Sequence, residues 1–135
     1  MKIVESYQDI ENYLRNAELI DKLIERFGED FYSQNRYGEL IDFIDDIIEE
    51  QFGARVDGER VVICKVVDED IDLIDTDHYV VVYNGYYYDY TAMQFSDQFE
   101  NLSPASIPVV QKVIKSDDQI IETLSTVKGY IILGY

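Results

Sequence analysis

The pair Asn84-Gly85 constrains this chain more than any other feature. It lies between two apolar and aromatic runs, His78 to Tyr83 and Tyr86 to Tyr90. A two-residue type I′ turn needs positive φ at both central positions, which Asn and Gly adopt most cheaply, so the two runs are predicted to form an antiparallel hairpin. A third β-branched run, Arg60 to Val67, adds another strand.

Ahead of these strands the apolar residues recur with a helical period. Ile10, Tyr13, Leu14, Ala17, Ile20, Leu23, Ile24 and Phe27 follow a weak capping pair, Ser6 and Asp9. The spacing predicts an amphipathic helix, broken near Asn16 and stopped by Gly28. Leu40, Ile41, Ile44, Ile47 and Ile48 predict a second helix from Asn35 to Phe52, with Gly53 as its left-handed stop. Beyond the hairpin, Ser96 to Pro108 reads as loop, Val109 to Ile114 as strand, Asp117 to Thr126 as short helix and Gly129 to Tyr135 as a closing strand. Helices first and an antiparallel sheet afterwards give an α+β class. With 135 residues, 47% of them hydrophobic, and no linker or repeat, residues 1–135 are expected to form a single domain.

Charge narrows the function classes. Twenty-eight acids against eleven bases give a formal net charge of −17. A field of this sign repels nucleic acid and anionic lipid and attracts basic protein surfaces, at a rate that falls with salt. Direct nucleic-acid binding and membrane association are therefore not expected. Cys64 is the single cysteine and sits within an apolar strand, which predicts a packed thiol and no intrachain disulfide. The start, Met1 to Glu5, has no long apolar run, and a cytoplasmic location is expected.

The acids are not evenly spread. Asp42, Asp45, Asp46, Glu49 and Glu50 share one period and form a carboxylate stripe on the second helix. From Val66 through Gln111 there are nine acids and no Lys or Arg, and Asp68, Asp70 and Asp72 open an acidic loop running to Asp77. An EF-hand starting at Asp68 would need Gly and Glu where Leu73 and Tyr79 stand. Without that match, and without a Cys/His zinc pattern, phosphate loop or dinucleotide motif, neither metal nor cofactor is expected. Carboxylates fixed on a rigid surface can imitate the phosphates of a duplex. The reading that follows is a non-catalytic acidic binding protein occupying a basic surface of a nucleic-acid-handling or defence enzyme, in the manner of small DNA-mimic inhibitors from phages and mobile elements. The plain alternative is a set of solvated faces.

Twelve tyrosines include Tyr83, Tyr86, Tyr87, Tyr88 and Tyr90 around the hairpin. Strand alternation sends about half of such residues outward. Tyr86, Tyr88 and Tyr90 are thus expected on the helices, with Tyr87 facing water or the mate of a homodimer.

The stretch His78-Tyr-Val-Val-Val-Tyr-Asn-Gly-Tyr-Tyr-Tyr-Asp89-Tyr-Thr-Ala-Met-Gln-Phe95 resembles the histidine hairpin of papain-like folds, the broad group of transglutaminase-like and NlpC/P60-like enzymes and papain-fold toxins. In that group a His opens one strand, a Gly turns the chain, an Asp on the next strand orients the imidazole, and a Thr-x-x-Gln-Phe-like tail follows. His78, Gly85, Asp89, Thr91, Gln94 and Phe95 stand in that order. The resemblance implies a nucleophilic cysteine at a helix N-terminus, a place that falls between Ser33 and Tyr37 and holds none. It therefore implies either a scaffold without catalysis, or an amidase or acyl-transfer hydrolase with His78 as base, Asp89 as its orienter and Ser33 as a non-standard nucleophile.

Overall fold

The computed structural model describes residues 7–34, 36–68, 70–99, 108–113 and 131–134. The predicted first helix is two. Helix α1 (Tyr7–Leu14) ends where Asn16 takes an extended backbone and its side chain accepts from Glu18 N at 2.8 Å, capping α2 (Ala17–Phe27). Helix α3 (Tyr37–Phe52) stops at Gly53, whose φ of 70° is left-handed and whose N–H donates to Glu49 O. Short 3-10 turns occupy Phe31–Ser33 and Ala92–Phe95. Among the described residues no helix is long and apolar enough to cross a membrane.

The strands are β1 (Asp57–Val67), β2 (Asp70–Tyr83), β3 (Tyr86–Asp89), β4 (Val109–Lys112) and β5 (Ile131–Gly134). They form one sheet in the order β4-β3-β2-β1-β5, every neighbouring pair antiparallel, so the chain is α+β. The Asn84-Gly85 turn has φ of 49° and 80°, as a type I′ hairpin requires. The helix expected over Asp117 to Thr126 lies outside the described residues.

One element differs from expectation in a way that moves the site. The acidic stretch after Asp68 is not a loop: β2 begins at Asp70, turning sharply at Asp68 with φ of 48°. Ile71, Leu73 and Asp75 pair with Val66, Cys64 and Ile63, and these cross-strand partners hold the segment extended despite its carboxylates. Two register shifts interrupt this ladder, so that Val61 faces His78, Ile63 faces Asp75 and Cys64 faces Leu73. Each shift inserts one extra β2 residue, which bends the strand just before His78. His78 therefore lies within a strand rather than at its opening.

The sheet is covered on both faces. On one, Val81, Tyr88 and Tyr90 pack with Ile10, Leu14, Leu19, Ile20, Leu23, Ile44 and Ile48 of the helices. The Tyr90 hydroxyl donates to Leu14 O at 2.7 Å, locking the end of the hairpin to the end of α1. At Gly58 an added Cβ would stand 2.9 Å from Ile41 Cδ1, so this glycine lets α3 lie close on β1. On the other face, Val61, Ile63, Val80 and Ile132 pack with Ala92, Phe95 and Phe99. Tyr87 belongs to this second core and is fully buried. The expectation that it faces water or a dimer mate is corrected, because the chain after β3 folds back over the face into which Tyr87 points.

Candidate functional site

Strand alternation puts His78 on the same sheet face as Val80, and Asp89 on the same face as Tyr87. The β2–β3 register, Val81 to Tyr88, sets Asp89 one step along the diagonal from His78. Their side chains meet: His78 Nε2 lies 2.9 Å from Asp89 Oδ2, with both residues buried. An ionised carboxylate only accepts, so the imidazole donates from Nε2 and turns Nδ1 the other way.

The remaining motif residues complete one network around this dyad. Asp89 Oδ1 accepts from Thr91 N at 3.1 Å and from Thr91 Oγ1 at 3.2 Å. Gln94 Nε2 donates to Thr91 O and Thr91 Oγ1, both at 3.0 Å. Gln94 Oε1 in turn accepts from the Tyr37 hydroxyl at 2.9 Å. Phe95 stacks edge-on to the imidazole at 5.2 Å between centroids. The five side chains that carry the resemblance, His78, Asp89, Thr91, Gln94 and Phe95, thus come together in space, and Gly85 turns the chain between them.

Tyr37 is the residue that sequence reasoning passed over. It is the first residue of α3, and its ring stands 5.2 Å from that of His78 at 81°. The resemblance asks for a nucleophile at a helix N-terminus facing a histidine, and the side chain in that position is a phenol. Burial raises the Tyr37 pKa, and the negative charges of Asp75, Asp89 and Asp77 raise it further. The group stays protonated at neutral pH. Among the described residues, the buried His78 Nδ1 has no hydrogen-bond partner. The hint available beforehand was that Tyr37 ends the stretch from Ser33 in which the resemblance puts its nucleophile, directly before Gly38.

The other nucleophile candidates have different surroundings. Ser33 is exposed on the 3-10 turn, and its hydroxyl donates to Asp30 O at 3.0 Å. Cys64 is buried in β1, where desolvation pushes its thiol up to about 11.

The carboxylates divide by environment. Asp42, Asp46, Glu49 and Glu50 are exposed along α3. Asp45 is not: it points inward, accepts from Val56 N at 2.9 Å and forms an ion pair with Arg55 at 2.6 Å. The Arg55 guanidinium holds its carboxyl below the usual range. Asp45 therefore leaves the stripe and ties α3 to the start of the sheet, a role to which its Arg55 partner, ten residues on, gave no periodic clue. Carboxylate oxygens of Asp45, Asp46 and Glu49 lie within 4.8 Å of one another, but Arg55 already supplies the cation, reaching Glu49 at 3.6 Å as well. Asp68, Asp70 and Asp72 are exposed around the tip of the β1–β2 hairpin.

Of the hairpin tyrosines, Tyr87, Tyr88 and Tyr90 are buried and Tyr83 and Tyr86 half-buried; among the described residues the large apolar residues most open to solvent are Tyr7, Ile71, Leu73 and Tyr79. Comparison of the chain with protein-family models, with curated proteins and with solved structures finds no match.

Proposed function

We propose that this protein is a non-catalytic acidic binding module, built on a papain-like arrangement and directed at a basic surface of a nucleic-acid-handling or defence enzyme. The observation that carries the absence of catalysis is the Tyr37 ring, set edge-on against His78 where a nucleophile would have to stand. The dyad and its network then serve as a buried polar core linking β2, β3 and the 3-10 turn. What remains available to a partner is charge: Asp42, Asp46, Glu49 and Glu50 on α3, and Asp68, Asp70 and Asp72 on the hairpin. Rigid elements carry these groups, which favours the fixed spacing that imitation of a phosphate array needs.

The test is capture from a cell lysate on the immobilised protein at low and high salt, with a D42N/D46N/E49Q/E50Q variant beside it. A basic nucleic-acid enzyme retained at low salt, released by salt and lost with the variant supports the reading. Retention that neither salt nor the variant alters removes it.

The second reading, an amidase or acyl-transfer hydrolase, draws on the His78–Asp89 hydrogen bond, which is how such a base is oriented. It needs Tyr37 to swing aside and Ser33 to reach the imidazole. Labelling of Ser33 by a fluorophosphonate, abolished by His78→Ala, would support it; an unlabelled Ser33 counts against it.

A further inference from the structure

Among the described residues, the outer half of β2 has open backbone on the side away from β1. Strand β3 pairs with β2 only over Val81–Tyr83, and β5 pairs with β1 only over Val61–Cys64. Beyond these limits Lys65–Val67 and Asp70–Asp72 pair with each other as a two-stranded arm. Among the described residues, no strand of the sheet lies against the outward edge of Asp70–Leu73. Such an edge presents a row of N–H and C=O groups in register for one more strand.

Its side chains specify what that strand can be. Leu73 is 60% exposed and Ile71 37%, on one face of the arm. Asp70 and Asp72 are exposed on the other, with Asp68 at the turn. A second copy of this chain is a poor occupant, because it would bring two sets of these aspartates onto one short ladder in a protein of net charge −17. A cationic strand meets the opposite condition on one face and apolar contact on the other.

We infer that the Asp70–Leu73 edge is a strand-addition site for an extended segment of a partner protein in which Lys or Arg alternates with β-branched residues. Main-chain hydrogen bonds to the edge supply affinity, and the period of two supplies specificity: cations face Asp70 and Asp72, and apolar side chains cover Ile71 and Leu73. The inference rests on the acidic-binding reading and specifies how the basic partner is held.

The test uses the full chain and an acetylated octapeptide of alternating Lys and Val, with a Lys-Gly octapeptide of equal charge as control. The Lys-Val peptide is expected to bind about tenfold more tightly than the Lys-Gly peptide. It is also expected to slow amide exchange at residues of Asp70–Leu73. In a D70K/D72K variant the preference should reverse, toward a Glu-Val peptide. Equal affinity for the two lysine peptides, or unchanged exchange along the edge, overturns the inference while leaving charge attraction in place. Loss of binding with the four-residue α3 variant but not with D70K/D72K overturns it too, and transfers the contact to the helix. Insensitivity to both variants overturns the inference and the acidic-binding reading together. The exchange measurement on the unaltered protein decides the matter even should a variant fold poorly.

Discussion

The phenol ring of Tyr37 and the imidazole of His78 stand edge to face, 5.2 Å apart and 81° between planes, at the N-terminus of α3. The Tyr37 hydroxyl is directed to Gln94, not to His78 Nδ1.

Tyr37→Cys should therefore expose a latent reactive site. A thiol at a helix N-terminus beside a histidine is a better nucleophile than one buried in a strand. Alkylation by iodoacetamide at neutral pH is expected to be at least about tenfold faster at the new cysteine than at Cys64. Adding His78→Ala should abolish the difference. Equal rates at the two thiols would show that the arrangement does not activate a nucleophile.

Asp89→Ala leaves the His78 imidazole and the Thr91 donors buried without their acceptor. Removing a charged acceptor from buried donors in this way costs about 1.5–3 kcal/mol. Urea unfolding should register a loss of that size, and a loss below about 1 kcal/mol would mean that water replaces the carboxylate.

Asp45→Ala removes the acceptor of Val56 N and the inward partner of Arg55. A cost of about 2 kcal/mol is expected from hydrogen bonds to a charged group. Because the folded pKa of Asp45 is depressed, its contribution is complete above the unfolded pKa and is lost as pH falls through the folded value. Stability curves of the parent and of Asp45→Asn should converge in acid below the ordinary aspartate range. A constant gap down to the lowest pH would argue against the ion pair.

Gly85→Ala isolates the turn. An added Cβ meets nothing within 4 Å, so the cost arises from φ of 80° alone, about 1–2 kcal/mol. A neutral result by thermal unfolding would mean that the hairpin accepts another turn type.

Local features of the chain were legible where local physics settles them. Asn84-Gly85, the helical periods, Gly28 and Gly53 as helix stops, and the break near Asn16 all act within a few residues, and each reappears in the fold. The order His78, Gly85, Asp89, Thr91, Gln94, Phe95 was likewise visible, since one hairpin and its exit bring those residues together. Asp70 to Asp77 misled because acids and Thr76 read as a loop, whereas pairing with the apolar run of β1 keeps the segment extended.

By itself, the sequence determined the succession of helices followed by strands, the hairpin, the acidic excess and the motif residues that gather around His78. Only the tertiary structure decided that Tyr87 is interior, that Asp45 is spent on Arg55 and Val56, and that the Tyr37 ring packs against His78. The reason is separation along the chain. Tyr37 and Gln94 are 57 positions apart, and no periodicity or turn rule reaches that far. Their meeting depends on how α3 lies on the sheet, which the packing of Ile41 over Gly58 and of both cores fixes collectively.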